Sequence, residues 1–157
     1  MDNLLQFSME IKIISRSPSR KALIEALVKF YAKELKLENS SYKLIVSTIP
    51  NLVKNDSMRG MVFLSEENSL MMGIDSRLDI SVMFATVAHE MVHVKQYAKG
   101  QLKLYSKRNG HVGYTWLGKR IKSDPFNSPW EIEAYSKEVI LANKVTQMMI
   151  KRARAKI

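Results

Sequence analysis

The segment from about Ile80 to Ala98 constrains this chain more than any other, because it is apolar on most sides yet carries His89, Glu90 and His93 in its second half. Phe84, Val87, Ala88 and Val92 flank these residues. A helix built from them is largely buried, and ionisable groups inside it need partners. Asp79 stands before the segment as an N-cap and Gly100 after it at the C′ position, the punctuation of a long helix. Residues four apart on a helix share a face, one turn above each other, so both imidazoles reach a common point. A chance His-Glu-x-x-His turns up in roughly four of every thousand chains of this composition, and two of the chain's 3 histidines are spent on it. The pattern predicts that His89 and His93 ligate a metal ion. Glu90, beside the first histidine, is then placed to hold and deprotonate a water.

Zinc with an open coordination position needs three protein ligands, so one more is required. His111 lies in a glycine-flanked stretch, Asn109-Gly110-His111-Val112-Gly113, and misses the spacing that would continue the motif, since position 99 is Lys99. The other source is Ser128-Pro129-Trp130-Glu131-Ile132-Glu133-Ala134-Tyr135. Two readings compete for Glu131. Ser128 and Glu131 have the spacing of a capping box, with Pro129 suited to the first helical position. Glu131 also shares an inward-looking face with Ala134, Tyr135, Glu138, Ala142, Val145 and Met149, whereas Glu133 falls with Lys137 and Lys144 on a face that reads as solvated. A ligand comes from the inward face, which favours Glu131 over Glu133.

The remaining pattern is α+β in a single domain spanning 1–157. Met9–Ser15 and Tyr42–Thr48 read as strands around a helix over Lys21–Leu37. Gly60–Leu64 and Leu70–Ile74 form a hairpin pattern, and the strand Leu70–Ile74 is placed to pair with an extended peptide. After the long helix, residues 100–127 are basic and aromatic with no clear period, and read as an irregular connection. A last helix runs from Pro129 to about Lys151. The small N-terminal sheet with its helix is thus followed by two helices that carry the candidate ligands. With 0 cysteines, disulfide frameworks, thiolate-ligated zinc and thiol catalysis are excluded. Position 2 is acidic, and neither a basic leader nor an apolar span of membrane length is present. The expectation is a cytoplasmic protein with no membrane partner.

His-Glu-x-x-His on one helix, with Glu-x-x-Ala on a later one, resembles the gluzincin branch of zinc metallopeptidases. The nearest likeness is to minimal single-domain members, including the ImmA/IrrE-like and SprT-like groups and small phage metallopeptidase-like proteins. The resemblance covers roughly residues 60–150. It implies a zincin-like fold, Zn2+ as cofactor, peptide or protein substrates, His89, His93 and Glu131 as ligands and Glu90 as general base. Many gluzincins have Asp or Asn four residues after the ligating glutamate, to orient a histidine; here that position is Tyr135, and Glu138 or Asp124 is left to substitute. Besides the metal, His111 and Tyr114 are the candidate donors to a developing oxyanion. The other class of function open to such a chain is a non-catalytic module, DNA-binding or inhibitory, with a structural metal.

The formal charge is +10 and is distributed unevenly. Residues 1–90 hold 11 basic and 11 acidic side chains, and residues 91–157 hold 14 and 4. Lysines and arginines from Lys95 to Lys122 alternate with Tyr97, Tyr105, Tyr114 and Trp116, and Lys151-Arg152-Ala153-Arg154 adds a second cluster. Such a field attracts polyanions. Region 95–122 and the C-terminal tail are therefore candidate nucleic-acid contacts, or mark an acidic substrate.

Overall fold

The computed structural model describes residues 8–122 and 127–156. Strand β1 (Ile11–Ile14) leads through helix α1 (Pro18–Glu34) to β2 (Lys43–Ile49), a short helix α2 (Leu52–Asp56), and the hairpin β3 (Gly60–Glu66) and β4 (Ser69–Asp75). Helix α3 (Ile80–Ala98) follows, then β5 (Leu102–Ser106), β6 (Val112–Trp116) and β7 (Lys119–Ile121), and finally helix α4 (Pro129–Ala155). The described residues form one small mixed α+β domain with 4 helices and two sheets.

The first sheet has the order β1-β2-β4-β3. β1, β2 and β4 are parallel and β3 runs antiparallel at the edge. Alternation decides which side is covered: Leu44, Val46, Leu70, Met72 and Ile74 are buried under the helices. Tyr31 ties two of those helices together, its buried hydroxyl donating to the Phe84 carbonyl at 2.9 Å. Ser17 caps α1 through its side chain, which accepts from the Arg20 N–H. At the end of α3, Gly100 takes a left-handed φ of 68°, as its position after the helix predicts.

Two elements differ from the sequence reading. Residues 102–121 are not irregular but form a second, three-stranded antiparallel sheet of order β5-β6-β7. Its strands are short, and its last turn, Leu117-Gly118, has φ of 49° and 84°, the primed geometry that hairpins favour. Leucine at the first turn position is an unusual choice, so the signal is absent from composition. The strand Leu70–Ile74, expected to receive a peptide, is hydrogen-bonded on both sides by β2 and β3. The free edge next to α3 therefore belongs to β3.

Asp75 closes β4 and anchors the α2–β3 segment. Its Oδ2 accepts from the Val53 N–H at 2.7 Å and its Oδ1 from the Arg77 N–H at 2.8 Å, serving α2 where Asn51 makes no side-chain cap. Burial works to raise its pKa, but the backbone donors of Val53, Arg77 and Leu52 outweigh it and hold the carboxyl below its usual value. A depressed pKa contributes stability that is present above the unfolded value and is lost as pH falls through the folded one. Asp75→Asn is expected to cost about 1–3 kcal/mol in urea unfolding at pH 7. The gap to the wild type should narrow below about pH 4; a gap independent of pH would refute this role.

Candidate metal centre

Helices α3 and α4 pack side by side and bring their acidic and imidazole side chains together in a cavity of about 710 Å³. The wall opposite is the α2–β3 segment, from Asp56 to Val62. His89 Nε2 and His93 Nε2 lie 3.2 Å apart. Glu131 reaches both from α4, at 3.1 Å to His89 Nε2 and 2.9 Å to His93 Nε2. One ligand atom from each of the three residues falls within 4.8 Å of the others, so the group is close enough to hold a metal ion. Ser128 is the N-cap of α4 but makes no cap bond, and its hydroxyl is buried with no partner among the described residues. The capping box is therefore not formed, and Glu131 turns inward.

Each imidazole is held from behind. His89 Nδ1 is 2.6 Å from Glu138 Oε2, and His93 Nδ1 is 2.8 Å from Gln96 Oε1. A carboxylate and an amide oxygen only accept, so both Nδ1 atoms carry a proton and both Nε2 atoms turn toward Glu131, donating to it when the imidazole is charged and offering a lone pair at the same point when it is not. Gln96 is itself fixed: its amide donates to the Trp130 carbonyl at 2.9 Å and to Glu133 Oε1 at 3.1 Å. Glu133 is half-buried rather than solvated, joined to the buried Lys95 at 2.6 Å. Its carboxylate faces away from the histidine pair, and hydrogen bonds from Lys95 and Gln96 outweigh burial to keep its pKa low.

The electrostatics fit a cation. Burial opposes a charged imidazole at His89, yet the hydrogen bond to Glu131 and the charges of Glu90 and Glu131 outweigh it and lift the pKa to about 8. Burial pushes Glu131 upward, but its bonds to His89 and His93 dominate and bring it down to about 2. Two lone pairs and a carboxylate aimed at one point are repulsive unless positive charge lies between them. Protons supply it in part, and a divalent ion supplies it in full. Gln96→Ala is expected to weaken metal binding 10- to 100-fold, the usual scale for a residue that orients a ligand. Competition with a chelating dye reads this directly, and an unchanged affinity would remove Gln96 from the site.

Glu90 is only 6% exposed. Among the described residues nothing donates to its carboxylate, and burial, only partly offset by His93 and His89, raises its pKa to about 7. Gly60 makes room for it: a Cβ there would stand 2.9 Å from Glu90 Cγ and 3.0 Å from Oε1. Edge strand β3 thus begins directly against the acid.

No family model, curated sequence or solved structure matches this chain.

Of the residues singled out from sequence, His89, Glu90, His93 and Glu131 line one cavity. His111 and Tyr114 do not. His111 is exposed in the turn between β5 and β6, its N–H bonded to Asn109 Oδ1 at 3.1 Å. Tyr114 lies against Trp130, ring centroids 5.2 Å apart. Among the lining residues the phenol is instead Tyr135, whose ring stands 4.7 Å from that of His89. Burial and the charges of Glu131, Glu138 and Glu90 raise its pKa, so it remains a hydroxyl donor. Glu138 takes the place left open by Tyr135; Asp124, the alternative, falls outside the described residues. Gln96 was not visible from sequence, although its spacing of three from His93 puts it on the same helical face.

Proposed function

We propose that this chain is a zinc-dependent metallopeptidase of gluzincin type, with a zincin-like fold. The observation that carries this is the convergence of His89 Nε2, His93 Nε2 and the Glu131 carboxylate beside a buried, protonatable Glu90, in a cavity walled by a sheet edge. Two imidazoles and one carboxylate suit Zn2+ in sites that keep a position open, whereas Ca2+ and Mg2+ prefer oxygen ligands throughout. Zinc so held supplies a Lewis acid for a carbonyl oxygen and lowers the pKa of water toward neutrality.

The chain's own groups do the rest. Glu90, with a pKa of about 7, takes the proton of the attacking water at its carboxylate and returns it to the departing amine. Tyr135 donates its hydroxyl to the oxygen that gains charge, the role sequence had offered to His111 and Tyr114. Glu138 and Gln96 keep the two imidazoles in the tautomer that leaves Nε2 free. Edge strand β3 offers unpaired backbone groups to an extended peptide. Arg59 lines the cavity and forms no ion pair among the described residues, which favours an acidic side chain on the substrate.

The test is hydrolysis of an unfolded protein by protein loaded with one equivalent of zinc, beside the Glu90→Gln variant loaded equally. Cleavage that needs the metal and is lost in the variant supports the reading. A zinc-loaded wild type that cleaves nothing, or no zinc uptake at all, overturns it.

A further inference from the structure

The β5–β6–β7 sheet has two unlike faces, and the outer one has no part in the chemistry above. Alternation places Leu102, Leu104, Val112, Tyr114, Trp116 and Ile121 on one side, with Lys119 at its rim. Tyr114 and Trp116 stand 5.2 and 6.3 Å from the ring of Trp130 and close over the start of α4. The other side carries Lys103, Tyr105, Thr115 and Arg120, and the same alternation past the strand ends adds Lys107 and Lys122. Among the described residues this face holds no large aliphatic side chain, and the sequence from Met91 to Ser123 contains no Asp or Glu. Among the described residues none of its cations is paired with a carboxylate. Like charges gathered on one sheet face destabilise it, and solvation alone gives no reason for the acids to be missing.

Arg120 is also held in place. Its guanidinium sits 4.6 Å over the Tyr105 ring. That ring lies flat across Gly113, where a Cβ would come within 2.3 Å of Tyr105 Cζ. The small residue lets the ring settle on the sheet, and the ring seats the cation. Lys103 and Arg120 flank β6 at about 10 Å, two strand spacings, and Arg120 and Lys122 alternate along one strand at about 7 Å. A duplex carries one negative charge per ~1.7 Å of its axis, so an array of cations at these separations in two directions meets a phosphate at each of them.

We propose that this outer face binds double-stranded nucleic acid through its phosphates, without reading bases. Base stacking needs a free ring, and here none is offered: Tyr105 is covered by Gly113 and Arg120, and Tyr114 and Trp116 face inward. A membrane surface is the poorer fit, because it calls for apolar side chains to insert beside the cations. The inference stands apart from the metal site and survives if that site proves inactive.

The experiment is fluorescence anisotropy of a labelled DNA duplex of about 20 base pairs with the whole chain. With Lys103, Lys107, Arg120 and Lys122 each meeting a phosphate, affinity should fall roughly 150-fold between about 50 and 200 mM salt. The K103E/R120E variant should bind at least tenfold more weakly with a salt slope shallower by about 2, while a cooperative thermal melt shows it still folded. K151E/R152E, in the C-terminal cluster, should bind as the wild type does. No binding at about 50 mM salt, loss only in K151E/R152E, or uptake on phosphatidylserine vesicles with the duplex left free would each overturn the proposal.

Discussion

Glu90→Gln is expected to leave a folded, zinc-binding protein whose peptide hydrolysis has dropped by about 10²- to 10⁴-fold, the range that a positioned acid–base group supplies. The amide has nearly the volume of the carboxylate, which matters because Gly60 packs close against this side chain. A larger or smaller residue would disturb β3 as well as the chemistry. With a pKa of about 7, the carboxyl of Glu90 is poised to accept a proton and to give it back near neutral pH; the amide does neither. Burying a titratable group costs stability, so the variant should melt no lower than the wild type. Zinc stoichiometry, the thermal melt and turnover on an unfolded protein together make the check. A variant that keeps its zinc and hydrolyses at the wild-type rate would strip Glu90 of its role, and one that loses zinc would make it structural instead.

The part of this site that was legible in the sequence is the part governed by helical geometry. His89 and His93 repeat at four residues and Glu131 lies on the inward face of its helix, so a 3.6-residue period was enough to bring them together. Ser128 illustrates the limit. Its spacing to Glu131 is that of a capping box, but a carboxylate facing two imidazoles gains more than one bonding a backbone N–H, and the cap is left unmade. Gln96 carries no signal in the sequence because an amide in a buried helix has no chemistry of its own; only the His93 ring in front of it and Glu133 behind it define its task. Glu133 in turn looked solvated because Lys95, its partner, stands on the other helix.

Strand order was less legible than helix content. Leu70–Ile74 reads as a strand from its own residues, but whether it is an edge depends on which strands come to flank it. The parallel pairing of β2 with β4 puts it inside and moves the free edge to β3. Similarly, the basic stretch after α3 showed no period because its strands are 5, 5 and 3 residues long. Over so few residues an alternation of two cannot be told from accident. Once the register is known, the same residues sort into an apolar face on Trp130 and a cationic face outward. Part of the charge asymmetry of the chain's second half, Lys103, Lys107, Arg120 and Lys122, then gathers on one surface.

Zinc should raise the melting temperature of the wild type and leave that of Glu131→Ala where it is. A ligand that binds only the folded state stabilises by about 2.7 kcal/mol at a hundredfold excess over its Kd. For a domain of this size that corresponds to a rise of roughly 5–10 °C. Removing Glu131 takes away one of three ligands and also the negative charge that makes a divalent ion welcome between two histidines. The two imidazoles that remain meet the solvent at the cavity, so the fold itself should survive. Glu133→Gln separates this from its neighbour two residues on. Glu133 serves Lys95 and Gln96, not the point where Nε2 atoms converge, so its variant should lose some baseline stability and still gain from zinc. If Glu133→Gln abolished the zinc-dependent rise and Glu131→Ala retained it, the third ligand would have been assigned to the wrong face of α4. Loss of the rise in both would mean that the support behind His93 matters as much as the ligand itself.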